Sequence, residues 1–424
     1  MQMSPLPLSL LPDNAAVDRS GRLSIAGCDA LELAREFDTP LFVYDEAHVR
    51  ERCRQARAAF GGSVAYASKA FLCLAMARLV HEEGLDLDVA TGGELFVAQA
   101  AGVPGERLVM HGNNKSAAEL EAAVEARVGR IVVDSFDELD RLDVLHAAAG
   151  ARPKVLLRIT PGVEAHTHEY VTTGVDDTKF GFTASTGRAD AAIRRAEQAD
   201  SVDLVGLHAH IGSQVFDLRS FQRAVEVVAG FARPYGLPEL SLGGGLGVAY
   251  VEGESAPAIA EWAAAIGEAC AAAGFAAPVS VEPGRALVAA AAVTLYEVGT
   301  IKELAGIRTY VAVDGGMSDN PRPVLYGSGY ETFLPRAADR DRDKAVRVVG
   351  KHCESGDLLV RDGQVPGDIA VGDILATPVT GAYGHSMGSN YNKVLRPAVV
   401  FARDGDARLV VRRETYEDLL RHDL

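Results

Sequence analysis

Short runs rich in Val, Ile and Leu recur through the middle of the chain, at 64–67 (VAYA), 85–90 (LDLDVA), 108–111 (LVMH), 131–134 (IVVD), 155–159 (VLLRI), 202–209 (VDLVGLHA), 239–242 (ELSL) and 279–282 (VSVE). Brief apolar runs bounded by turn residues predict buried strands. Between them lie Ala- and Glu-rich stretches at helical spacing, among them 93–101, 116–126, 136–149, 188–199, 217–232 and 257–273. Eight strands in regular alternation with helices predict an α/β fold, a (β/α)₈ TIM barrel.

Past Arg285 the pattern changes. Strand-like runs at 288–298, 309–314, 346–349, 357–360, 373–376 and 398–402 are separated by Gly, Asp and Pro, and helical periodicity nearly disappears. The expected division is a barrel over 41–285 and a C-terminal β-domain, sandwich-like or barrel-like, over 286–424. Part of 1–40, which holds one amphipathic stretch at 30–37, is expected to complete the β-domain because it lies outside the counted barrel and needs a surface to pack on.

Composition narrows the function. The 424 residues are 48% hydrophobic and 24% charged, enough apolar material for two domains. The net charge of −16 is spread along the chain, which favours solubility and disfavours nucleic acid or an anionic membrane as partner. Five cysteines without close pairing argue against a disulfide framework. The N-terminal MQMSPLPLSLLP is interrupted by prolines and lacks a basic start, and no apolar run reaches 18 residues, so the expectation is a cytoplasmic protein without signal peptide or membrane span.

Barrel sites form where strands end, and the unusual residues of this chain cluster there. Lys69 follows the first strand, Arg158 ends the fifth, and His208 to Gln214 follow the sixth. Gly243 to Gly247 (GGGLG) follow the seventh, and Glu282, Gly284 and Arg285 the eighth. Apolar neighbours predict a partly dry site for Lys69, where its amine becomes nucleophilic; the ordinary alternative is a solvated strand-end lysine. The glycine loop, if a helix follows it, could bind a phosphate with Ser213 nearby, or could be only a tight turn. His210 could ligate zinc, fill a core, or stack on a flat ring; His166 and His168 pose the same question. A metal fits poorly, since barrel hydrolases with His-x-His carry it on the first strand with further histidines and an aspartate later.

Together these groups suggest pyridoxal 5'-phosphate. Lys69 would hold it covalently, the glycine loop its phosphate, His210 a ring face and Glu282 the pyridine nitrogen. A carboxylate on that nitrogen favours decarboxylation, whereas a cationic partner would suit racemisation.

YASKA, GVEAHTHEY, TKFGF, GLHAHIGSQ, LGGGLG, EPGRA, VDGGMSDNPRPVLYG, CESGD and GAYGHSMGSNYN, in this order, resemble the motifs of the barrel-type (fold type III) pyridoxal-phosphate decarboxylases, nearest to the branch acting on meso-2,6-diaminopimelate. The resemblance implies a homodimer with active sites at the interface. It assigns Lys69, His210, Ser213, Gly245, Glu282, Gly284, Arg285 and Tyr383 to the cofactor, with Lys69 and His210 also catalytic. Cys353 is implied as the proton donor, contributed in that family across the dimer. Arg285, Arg322, Tyr326, Glu354 and Tyr383 are implied as substrate contacts, with Glu354 on the distal ammonium. Phe71, Gly384, His385 and Gly388 depart from the family pattern. Decarboxylation of another basic amino acid, racemisation, or a non-catalytic pyridoxal-phosphate carrier are the alternatives.

Overall fold

The computed structural model describes residues 4–61, 64–163 and 174–424. His166 and His168, with most of GVEAHTHEY, lie outside the described residues. The chain divides into two compact units: one of residues 53–247 and 256–286, the other of residues 1–52, 248–255 and 287–424.

The first unit is the barrel. Its strands are Ala65–Ala67, Asp86–Val89, Leu108–Met110, Arg130–Val133, Lys154–Thr160, Asp203–His208, Glu239–Ser241 and Val279–Ser280, paired in parallel in chain order. The last meets the first through a parallel bridge between Val64 and Val281, and the Ala65 and Ala67 amides donate to the Val281 and Pro283 carbonyls at 2.9 and 3.2 Å. All eight strands match runs visible in the sequence. The runs are short because only their central residues are buried on both faces; Leu87, Val89, Leu108, Met110, Ile131 and Val155 are fully buried.

Strand ends pass into helices through side-chain caps. The Thr91, Ser116 and Ser135 hydroxyls accept from amides three residues on, starting Gly92–Ala100, Ala117–Glu125 and Phe136–Ala149. Buried Trp262 packs edge-on against Phe60 and tilted against Phe221, fixing Ile259–Ala272 to its neighbours. That helix, expected over 257–273, spans Ile259–Ala272. Residues 248–255, which belong to the second unit, separate it from GGGLG, so its N-terminus does not directly follow the loop.

The second unit is built on a sheet in the order Leu358–Val365, Lys344–Val349, Arg308–Val313, Ala292–Leu304, Leu41–Asp45, Ala398–Arg403, Asp406–Val411, with Ile374–Pro378 also pairing to Ala292–Leu304. The thirteen-residue strand Ala292–Leu304 organises it. Its first half pairs with Leu41–Asp45 and Ile374–Pro378, its second with Arg308–Val313, and the register shifts between Val298 and Thr300. Two expectations change here. Leu41–Asp45, placed with the barrel by the sequence, pairs with Ala292–Leu295 and Ala398–Ala402 and belongs to this sheet. The run expected as strand from residue 288 begins instead with helical turns Arg285–Val288 and Ala289–Ala291, because the four consecutive alanines after Val288 favour helix and consecutive β-branched residues come only at Val293 and Thr294. A three-stranded meander, Ala15–Val17, Leu23–Ile25 and Cys28–Asp29, and the helix Ala30–Phe37 capped by Asp29 complete the unit.

Candidate active site

Inside the barrel unit, the C-terminal strand ends bring a connected polar cluster together. Ser241, at the end of the seventh strand, donates its hydroxyl to Glu282 Oε1 at 2.7 Å, and His208 Nε2, at the end of the sixth, lies 2.9 Å from Glu282 Oε2. His111, directly after the third strand, places Nε2 3.5 Å from both Glu282 Oε1 and Asp88 Oδ1. Its backbone amide donates to the Val89 carbonyl at 2.8 Å, so the barrel ladder fixes where the ring starts. Arg158 stacks over Phe180 of the TKFGF motif, 4.2 Å from the ring centre, and faces Asp134 at 3.9 Å.

The charges of this cluster depend on one another. Burial alone would raise the Glu282 carboxyl, but the adjacent His208 and His111 hold it well below the usual carboxylate range. Burial disfavours a cation on His111, yet Glu282 and Asp88 outweigh it and push His111 up to about 9. Asp88 is pushed up to about 7, by burial first and then by Glu282. Burial and the cations of Lys69 and Arg158 hold His210 well below the ordinary histidine value, so its ring is neutral.

His208 and His210 diverge despite their spacing. The strand ends at His208, which turns to Glu282, while the His210 ring lies against the glycine loop. A Cβ on Gly243 would come within 2.7 Å of His210 Nδ1, and one on Gly245 within 2.3 Å of the Gly212 carbonyl, at a φ of +117° that a side chain rarely adopts. Arg285 donates to the Ser213 hydroxyl at 2.8 Å, and a Cβ on Gly284 would press on Ala67 at 3.0 Å.

Lys69 departs from expectation. It sits in the 3₁₀ turn Ser68–Ala70 and is exposed, while both neighbours are buried. Its charge nonetheless acts on Asp88 and His210. The amine thus stands in an electrostatic field rather than in the dry pocket expected.

The remaining candidates lie in the second unit. Arg322, opening the short helix Arg322–Tyr326, is buried; it donates to the Tyr330 hydroxyl and lies 4.5 Å over the Tyr250 ring. Tyr326 closes the same helix, and Tyr383 adopts a φ of +66°. Cys353 and Glu354 are exposed. Asn392 accepts from the Cys353 amide at 3.0 Å, Tyr391 donates to Glu354 Oε2 at 2.9 Å, and the Tyr391 ring stacks on His352. Of the departures, Phe71 is fully buried with its backbone held by the Tyr66 hydroxyl, and His385 packs edge-on to Phe42. Gly384 and Gly388 fit where a Cβ would come within 3.2 Å of Asp319 and 3.0 Å of His385 carbonyls respectively.

Asp88, His111 and Ser241 were not singled out from the sequence. They sit in ordinary-looking strands, and their position at strand ends was the one signal that could have found them. Among the described residues, Ser68 Oγ, Asp88 Oδ1, His111 Nε2, Asp134 Oδ2 and His208 Nδ1 are buried at these strand ends without a hydrogen-bond partner, the 3.5 Å approaches of His111 to Asp88 and Glu282 being charge contacts. A polar ligand with a ring nitrogen and an anionic tail fits these groups, Glu282 offering a carboxylate to a ring N–H and Ser213 and Arg285 donors to an anion.

Residues 46–289 match the family model described as pyridoxal-dependent decarboxylase, pyridoxal binding domain. The chain belongs to this family. Diaminopimelate decarboxylase of Mycobacterium tuberculosis is 50% identical over 430 residues, with 96% of each chain covered. That of Bacillus subtilis is 48% identical, again over 96% of each. A crystal structure of M. jannaschii diaminopimelate decarboxylase with L-lysine superposes with a TM-score of 0.90 at 34% identity, covering 97% of this chain and 98% of that one. As a family member the chain is a decarboxylase, and its cofactor is pyridoxal phosphate. No described helix is long and apolar enough to cross a membrane.

Proposed function

We propose that this decarboxylase releases carbon dioxide from meso-2,6-diaminopimelate and yields L-lysine, the last step of lysine biosynthesis. Glu282 carries the reading: a buried carboxylate, held ionised by two histidines at the mouth where the first strand delivers Lys69. The relatives named for this reaction, alignable over nearly the whole chain, support the substrate.

Bound pyridoxal phosphate supplies an electron sink for the pair left when a carboxylate departs. Lys69 Nζ would hold it covalently. Glu282 would accept a hydrogen bond from a protonated pyridine nitrogen, as decarboxylation needs. His210, whose ring is neutral, would cover a ring face without competing for that proton. Ser213, Gly245, Gly284 and Arg285 would bind the phosphate. Arg285, Arg322 and Tyr326 would bind substrate carboxylate, Glu354 the distal ammonium, and Tyr383 would contact cofactor and substrate. Cys353 Sγ would supply the proton that replaces the departed carboxylate.

Cys353 is exposed on its own chain, which suits a donor acting in a second copy, so the active unit is proposed as a homodimer with sites at the interface. The cytoplasm is the proposed compartment, since all five cysteines are free thiols. The test is carbon dioxide release from meso-diaminopimelate, ornithine, arginine and lysine, with and without pyridoxal phosphate. Cofactor-dependent release from diaminopimelate above the others is expected. Preference for ornithine or arginine, or racemisation without release, would overturn the assignment.

A further inference from the structure

His111 belongs to no motif, and the reading above uses it only as one of the two histidines beside Glu282, yet it occupies the centre of the buried cluster. It stands between two carboxylates, 3.5 Å from Asp88 and 3.5 Å from Glu282, with its ring edge-on to His208 at 5.1 Å between centres. The other oxygen of Glu282 is taken by His208, and the oxygen nearer His111 is shared with Ser241. The facing groups are therefore Asp88 on the second strand, Glu282 after the eighth and His208 on the sixth. Lys69 acts on Asp88, and Arg158 on His208. Two buried anions this close to each other need a cation between them.

We propose that His111 is a positioning residue: it bridges Asp88 and Glu282, fixing the orientation and charge of the carboxylate that meets the pyridine nitrogen. This rests on the assignment of Glu282 to that nitrogen. Ser241 and His208 orient the carboxylate through neutral donors; His111 adds the charge. Without it the two anions compete for one proton, and a protonated Glu282 cannot hold the proton on the ring nitrogen. The cation persists despite its burial because Glu282 and Asp88, both beside the ring, raise His111 to about 9.

The experiment uses reconstituted holoenzyme of wild type, His111→Gln and Asp88→Asn. In His111→Gln, kcat for carbon dioxide release should fall about 10- to 100-fold, with KM for diaminopimelate within about threefold. The pH titration of the resting cofactor absorbance should also shift, a change that a purely structural role would not produce. In Asp88→Asn, one of the two anions holding the His111 proton is gone, so the alkaline limb of kcat should move to lower pH by about one unit. Wild-type kcat and an unmoved absorbance titration in His111→Gln would overturn the role. Should that variant fail to fold, an unmoved alkaline limb in Asp88→Asn would overturn it instead. A wild-type holoenzyme that releases no carbon dioxide from diaminopimelate would mark failure of the functional assignment; normal wild-type release with indifferent variants would mark failure of this inference alone.

Discussion

The barrel mouth and the loop around Cys353 treat their polar groups in opposite ways. In the mouth, Glu282, His208, Ser241 and Asp88 are buried, and Glu282 is bonded to two of the others. In the loop, Cys353 and Glu354 are exposed; the Cys353 amide bonds to Asn392 and the Glu354 carboxylate to Tyr391. Low dielectric strengthens every charge in the mouth and makes the loss of a partner costly, whereas water screens the loop. A carboxylate fixed this way suits the electronic part of the proposed reaction. Cys353 and Glu354, proposed as proton donor and distal-ammonium contact, sit on an exposed segment, which suits the proposed sharing between two copies.

That contrast can be broken in order of expected effect. Lys69→Ala should abolish the cofactor absorbance and lower activity at least about 10³-fold, since the group acts directly in the chemistry. Retention of both would remove Lys69 from the site. Glu282→Gln keeps the shape but not the charge, and kcat should fall about 10²- to 10³-fold with altered cofactor absorbance. Cys353→Ala should lower turnover about 10²-fold while absorbance stays that of wild type; near-normal turnover would end its role as donor. The absorbance is the dividing readout: mouth variants change it and loop variants do not.

Tyr391→Phe removes one hydrogen bond from exposed Glu354, so KM for diaminopimelate should rise a few-fold at constant kcat. An unchanged KM would show that Glu354 needs no such support. The smallest effect is on stability against pH. Asp88 and His111 both have folded-state values above their ordinary ones, about 7 and about 9, so the folded state binds more protons than the unfolded one. Their contribution is present at low pH and is lost as pH rises, through 7 for Asp88 and through 9 for His111. The apoprotein Tm should fall by a few degrees between pH 6 and 10, about 2–4 °C per kcal/mol. Cys353→Ala should leave that slope intact; His111→Gln should flatten its upper half.

Much of the barrel was legible because its strands combine short apolar runs with helices at βα spacing. Leu41–Asp45 carries the same signature and was misplaced, since burial on both faces looks alike in a parallel barrel and in the centre of another sheet. Its partners, Ala292–Leu295 and Ala398–Ala402, are too distant in the chain for any local pattern to indicate. Likewise GGGLG was readable as a loop, but the excursion of residues 248–255 before the next helix was not.

In the site, motifs pointed to Lys69, His210, Glu282 and Arg285. The depth of Lys69 was not legible, because its apolar neighbours in the chain do not record the 3₁₀ turn that follows the strand. His111 and Asp88 stayed hidden for a different reason: LVMH and LDLDVA are unremarkable strands in which each polar residue has a bland explanation.

The sequence by itself determined the number and order of the barrel strands, the change of texture after Arg285, and the residue types offered at each strand end. These depend on local burial and propensity, which a one-dimensional pattern records. Closure of the barrel at Val64 and Val281 decided the rest. It brought His111 within 3.5 Å of Glu282, and only shared burial at that distance turns two separate side chains into a coupled pair of charges.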